Sequence, residues 1–156
     1  MAYTKLQASS SRAVVPSDTI NIPSITSTQE SSTATSTSAS ELIDTAQDFV
    51  AMGVKQGWTI VNTTDGTIAT VVSVDGTDTM TISADIMASA EAYTIYSDKE
   101  RGGCVLYVGV GGILKVETAS GDIITFQGVP TGSFFPVQVV KVYATTTTAT
   151  DIVALW

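Results

Sequence analysis

The residues able to do chemistry in this chain are few, and their spacing is unpromising. Cys104, in the apolar run CVLYV, is the only thiol, and histidine is absent. Nucleophilic catalysis by Ser or Cys needs a neighbouring base, and the common transition-metal sites lean on imidazole, so both classes lose their usual members. Cys104 therefore reads as a small buried hydrophobe, and a single cysteine excludes an internal disulfide. Asp75 and Asp78 stand three apart in DGTD, but a calcium loop needs more oxygen ligands at regular spacing. Asp75-Gly76 reads instead as a hairpin turn. Asp98 and Glu100, with Lys99 between them and Arg101 after, read as a solvated linker. Glycoside hydrolysis needs two acids facing one cleft about 5 to 10 Å apart, and no such pair stands out. Gly109, Gly111 and Gly112 in VGVGG lack the Lys-Ser/Thr ending of a phosphate loop and read as hairpin residues. Asn62 in NTT matches a glycosylation acceptor but reads as a turn. Trp58, Tyr93, Tyr96, Phe134, Phe135 and Trp156 could stack on sugars; each lies on or beside an alternating strand, which favours core packing. No catalytic, cofactor-binding or metal-binding residue is expected, and no enzyme.

The elements that position these residues follow from composition. Only 14% of the 156 residues are charged, and the net charge is −8. Thr, Ser, Val, Ile, Ala and Gly dominate; the β-branched members suit a pleated surface. The expected class is all-β, on a surface rich in hydroxyls. The seven cations, Lys5, Arg12, Lys55, Lys99, Arg101, Lys115 and Lys141, are scattered singly, so no stripe tracks nucleic-acid phosphates. The opening MAYTKLQASSSR is polar and no run has the roughly 18 apolar residues of a membrane helix, so neither a secretory nor a membrane address is expected.

Four segments are expected. Residues 1–30 form an extended arm, because Pro16 and Pro23 forbid a helix through the pair, with DTINI between them alternating as an edge strand. Residues 31–40, SSTATSTSAS, carry no periodicity and read as a flexible linker. Residues 41–97 form an inserted small β-barrel-like module. Its opening ELIDTAQDFVAMGVKQG is either a short helix or a strand at 42–44 followed by one helical turn. Strands follow at GWTIVN, TIATVVSV, TMTISADI and AYTIYS. Residues 98–156 form a C-terminal β domain: a three-stranded meander from Cys104 to Val129, a long strand from PTGSFFPVQVVKVYA, a return through TTTTAT, and a last strand DIVALW. The arm is too short to fold alone. It pairs with this second half, as a small β-sandwich or barrel, or with a neighbouring subunit.

Two parts of the chain resemble the spike base proteins of gene transfer agents and tailed phages. The matching positions are Pro16-Ser17-Asp18-Thr19, Leu106-Tyr107-Val108-Gly109, Val129-Pro130, Pro136-Val137 and Ile152-Val153-Ala154-Leu155, within roughly the first 25 and last 55 residues. The segment from Leu42 to Tyr96 is similar to a module that recurs in phage virion proteins. The resemblance implies a protein without chemistry of its own, made in the host cytoplasm and carried on the capsid surface as spike base, vertex or cement protein. Its implied partners are its own copies (as trimer or pentamer), the major capsid protein and a head fibre protein, with no nucleic acid or membrane. Arms of this kind add a strand to a neighbour's edge, which marks Val14, Val15, Ile20, Ile22, Ile25 and Trp156 as expected contact residues. The alternative is a carbohydrate-binding or tail- and fibre-associated β module.

Overall fold

The structure, a computed structural model, describes residues 8–24, 27, 29–97 and 103–156. It is all-β, with no helix among the described residues. Twelve strands appear: β1 (Ser11–Ala13), β2 (Gln29–Thr33), β3 (Glu41–Ile43), β4 (Thr59–Asn62), β5 (Thr67–Val74), β6 (Thr79–Ile82), β7 (Ala92–Tyr96), β8 (Cys104–Val110), β9 (Gly112–Thr118), β10 (Ile123–Val129), β11 (Ser133–Val142) and β12 (Thr150–Leu155). They form two antiparallel six-stranded sheets. The chain divides into two compact units, Met1–Ile25 with Arg101–Trp156, and Thr26–Glu100.

The first unit orders its strands β1-β12-β8-β11-β9-β10. Burial along β8 has period 2: Cys104, Leu106 and Val108 are buried, and Val105 and Tyr107 are half-buried. Leu114, Val116, Val139, Ile152 and Ala154 complete the same core. The sheet differs from the expected meander, since β8 and β9 do not pair. β11 runs between them, its first part on β8 and its end on β9, and only β9 and β10 form a hairpin. The glycines of VGVGG explain the difference. A Cβ on Gly109 would sit 2.7 Å from Cβ and 2.8 Å from the carbonyl oxygen of Asp151. One on Gly111 would run into the carbonyl oxygen of Val129 and lie 2.6 Å from the Thr131 nitrogen, while one on Gly112 would meet Thr148. These glycines therefore permit close crossing of chain segments, a second use of glycine in strands beside the turn.

Of the arm, residues 8–24 are spent inside this unit, while Gln29 and Glu30 begin β2 of the second. β1 pairs with β12, Ser11 opposite Leu155. The DTINI run, expected as an edge strand, is irregular: the Ser17 and Ile22 amides donate to the Val142 and Val140 carbonyls, each at 2.8 Å. Asp18 accepts the Thr145 hydroxyl at 2.6 Å and its amide at 3.0 Å, and these bonds hold its carboxyl below the ordinary range. A carboxylate used this way ties a loop down without any strand pairing. The TTTT run is equally committed. Thr147 and Thr148 accept the Lys115 and Ile113 amides through their hydroxyls, at 3.0 and 2.9 Å. They extend the β9 ladder where β11 has ended.

The second unit orders its strands β2-β7-β4-β5-β6-β3, and the sheet curls into a half-barrel. Its core holds Leu42, Phe49, Ile60, Met80, Tyr93 and Ile95, all at most 1% exposed. The opening stretch takes the strand option at Glu41–Ile43, followed by turns around Asp48, which accepts the Ala51 amide at 2.8 Å. Residues 31–40, expected to be a flexible linker, are corrected: they close the sheet. Ser31 to Thr33 belong to β2, Ala34 is buried, and Ser36 bridges Ile43 of the far edge strand. Ser32 donates to the buried Asp44 at 2.6 Å, and Thr37 accepts the Ser89 amide at 2.7 Å. The physical reason is that an edge strand can be held by backbone and hydroxyl bonds, for which apolar periodicity is not required. The DGTD turn joins β5 to β6, with Asp75 and Gly76 amides both on the Thr79 carbonyl.

Because Gly111 has no room for a side chain, Gly111→Ala is expected to lower unfolding free energy by about 1–3 kcal/mol, an overpacking cost. Gly76→Ala, whose Cβ would meet only Asp78 at 3.6 Å, is expected to change stability by less than about 0.5 kcal/mol. Paired urea titrations measure both; equal midpoints for the two variants would refute the crossing argument.

Candidate functional site

Of the expected contact residues one is buried, Ile22, and Val14, Val15, Ile20 and Trp156 are half-buried. Val14 donates its amide to the Ile152 carbonyl at 2.9 Å and packs against the first core. Ile22 lies in that core, and Val15 and Ile20 are half-buried. Ile25 lies outside the described residues. Trp156 packs against the same core under the Arg12 guanidinium, 5.8 Å from the ring centroid, and exchanges backbone hydrogen bonds with Ser10. Its Nε1 is buried with no hydrogen-bond partner. The described arm residues 8–24 pair and pack within their own unit.

The other sequence candidates are likewise engaged. Cys104 is 2% exposed, its Sγ 3.4 Å from the Val139 carbonyl oxygen, and burial pushes its thiol up to about 12, which removes the reactive thiolate. Asp75 accepts the Thr81 and Ser73 hydroxyls at 2.7 and 2.8 Å, and those bonds push its carboxyl below the ordinary range. Asn62 is fully buried; its side-chain oxygen accepts the Thr64 and Asp65 amides as a turn residue does. The Asp98–Arg101 stretch lies outside the described residues. Of the aromatics, Tyr93, Tyr96 and Phe135 are buried, Trp58 packs against the second core, and Phe134 is 71% exposed.

Phe134 leads to a surface that the sequence reading passed over. Residues directly opposite in a ladder point to the same face, and Phe134 stands opposite Tyr107, Tyr107 opposite Val153, and Val153 opposite Ala13. The next row is Val105 opposite Leu155. These six side chains occupy the face of the first sheet turned away from the core. Phe134 and Tyr107 meet edge to face with centroids 5.5 Å apart. Both aromatic rings are thus pre-set, which lowers the entropy lost on contact with another surface. The signal was present in CVLYVGV: its second, fourth and sixth residues lie on the outer face, and Val105 and Tyr107 are apolar where a solvated face calls for polar groups.

In the second unit, Asp65, Asp85, Glu91, Thr37 and Met87 line a cavity of about 350 Å³. Its carboxylates are occupied. Glu91 accepts the Ala88 amide at 2.6 Å and the Asn62 side-chain amide at 2.9 Å. Asp85 accepts the Ser40 amide at 3.0 Å. Among the described residues no group of three or more His, Cys, Asp or Glu is arranged to hold a metal ion. A hydrogen bond with Glu91 and its negative charge raise the Asp65 carboxyl above its ordinary 3.8. A carboxyl with a raised folded-state pKa contributes stability at low pH that is lost as pH rises through that value. Asp65→Asn is therefore expected to raise the melting temperature at pH 7, with the gain over the unmodified chain shrinking as pH falls to about 4. Calorimetry across this range is the measurement, and a gain independent of pH would contradict the assignment.

Set against protein-family models, characterised proteins and solved structures, the chain matches none.

Proposed function

We propose that this chain is a structural protein of a phage virion, carried on the capsid surface as spike base, vertex or cement protein and acting by self-association and capsid binding. The observation that carries the reading is the apolar outer face of the first unit, centred on Phe134 and Tyr107. Phe134 is 71% exposed there beside the half-buried Tyr107, an aromatic side chain left in water on a largely apolar face. An exposed aromatic beside a second aromatic, both on a rigid sheet, has the make-up of an anchor that inserts into a partner's pocket. The resemblance of the Pro16–Thr19 and Ile152–Leu155 elements to spike base proteins supports the same reading. Asp18 and Thr19 follow the β1 strand that locks onto β12, and Asp18 ties down Thr145. In this reading the arm stiffens a platform, and the platform's outer face does the binding.

Capsid co-sedimentation tests the reading. The unmodified chain is expected to pellet with capsids that lack it. Phe134→Asp is expected to weaken binding about 30-fold, the roughly 2 kcal/mol typical of an aromatic anchor, with an unchanged circular dichroism spectrum. A chain without affinity for any capsid, absent from electron-microscopy maps of the particle, would overturn it.

A further inference from the structure

Every strand edge in the second unit is closed or marked with charge. β3 carries Glu41 and is bridged by Ser36, and β2 carries Glu30. In the first unit the β1 edge has three residues, one of them Arg12. The opposite edge is different. β10, IITFQGV, has seven residues, no charge and no proline. Natural sheets guard such an edge with charge, proline, brevity or a bulge; β10 has only the last, after Phe126, and its Ile123–Phe126 stretch has none of them.

Its side chains narrow the kind of partner. Ile124 stands opposite the buried Val116, on the core side of the sheet, and is nevertheless 42% exposed. Ile123 stands opposite Glu117, on the outer side, and is 58% exposed. A body docking on one face would cover one of them. A strand that continues the sheet covers both, because its side chains alternate across the same two faces.

The backbone is poised for this. The Thr118 amide donates to the Asp122 carbonyl at 2.9 Å. Antiparallel pairing alternates, so Ile124 is the next residue bonded to β9, and the amides and carbonyls of Ile123 and Thr125 point away from the sheet.

We infer that β10 pairs with β10 of a second copy of this chain, antiparallel about a two-fold axis through Thr125. A two-fold perpendicular to the sheet requires opposite residues to share a face, and centring it on Thr125 satisfies this. Thr125 then faces its own copy, and Ile124 faces Phe126 on the core side. These are a Thr–Thr pair and two aromatic–β-branched pairs, both favourable across strands. Self-complementarity about Thr125 selects a second copy as the occupant. β10 itself carries no charge, so two chains of net charge −8 meet here without placing like charges opposite one another. A basic partner drawn by the overall charge would find no carboxylate on this strand. The register ends at the irregularity after Phe126, which limits pairing to a short core and keeps the contact from running on into a fibre.

Cross-linking tests this directly, because Cys104 is buried and does not compete. Thr125→Cys in the full chain is expected to give a disulfide-linked dimer with oxidised glutathione, reversed by reductant, while Thr150→Cys on the exposed start of β12 remains unlinked. Thr125→Lys, which brings two cations face to face, is expected to weaken self-association at least tenfold in sedimentation equilibrium, with the melting transition retained. The inference falls if the unmodified chain stays monomeric at millimolar concentration, or if both cysteine variants cross-link equally. It also falls if Thr125→Lys abolishes capsid binding by a chain that is monomeric in solution; the edge would then belong to a capsid segment. The inference is separable from the virion reading. Dimers that ignore capsids would sink that reading and leave this one standing, whereas capsid binding by a chain without β10 dimers would do the reverse.

Discussion

Lateral pairing is the constraint on which everything else in this protein rests. A helix satisfies its own amides and carbonyls within one segment; a chain of strands must find each partner elsewhere in the sequence. Where strands end or cross here, threonine and serine hydroxyls take over as partners. Thr131 accepts the Gly111 amide, Thr147 and Thr148 accept those of β9, Thr64 accepts that of Ala92, and Thr37 that of Ser89. Abundant Thr and Ser thus serve as movable ends of the ladders, besides their fit to a pleated sheet. A low charge count goes with this, since a hydroxyl can satisfy a backbone group without the desolvation penalty of an ion.

The same constraint explains the one fully buried carboxyl among the described residues, at the heart of the second unit. Asp44 accepts the Tyr93 hydroxyl at 2.8 Å and the Ser32 hydroxyl at 2.6 Å, and its other oxygen takes the Ala46 amide at 2.9 Å. One side chain joins the edge strand β2, its neighbour β7 and the turn after β3. Burial, with Asp44 beside it, pushes the Tyr93 phenol well above its ordinary range, so it stays a donor. A buried carboxyl held by three donors ties these segments to one register.

Much of the fold was legible in the residues. The β class followed from composition, and most strands from alternation, because a half-buried strand writes its burial pattern into the sequence, as TMTI does with Met80 and Ile82 inward. What stayed hidden was pairing order. Glycine at Gly109 and Gly111 serves a turn and a close crossing equally well, and only the position of β11 between β8 and β9 separates them. Residues 31–40 misled for a related reason: their partners, Asp44, Ile43 and Ser89, lie beyond the segment, and local periodicity carries no trace of them. The outer apolar row was visible residue by residue, but Phe134, Tyr107 and Val153 come from three strands, and their adjacency exists only once register is known.

The pairing of β1 with β12 also sets an order in time. Every ladder of the second unit closes among strands that leave the ribosome before any of β8 to β12 exists. That unit can finish while β1 waits alone, as a short stretch containing an arginine and little to aggregate. Only when β12 emerges can β1 take its place, a search spanning nearly the whole chain, and non-local searches of this kind are slow. Until then β8 holds β11 on one side and keeps its other side open on the growing polypeptide, behind a unit whose ladders have already closed.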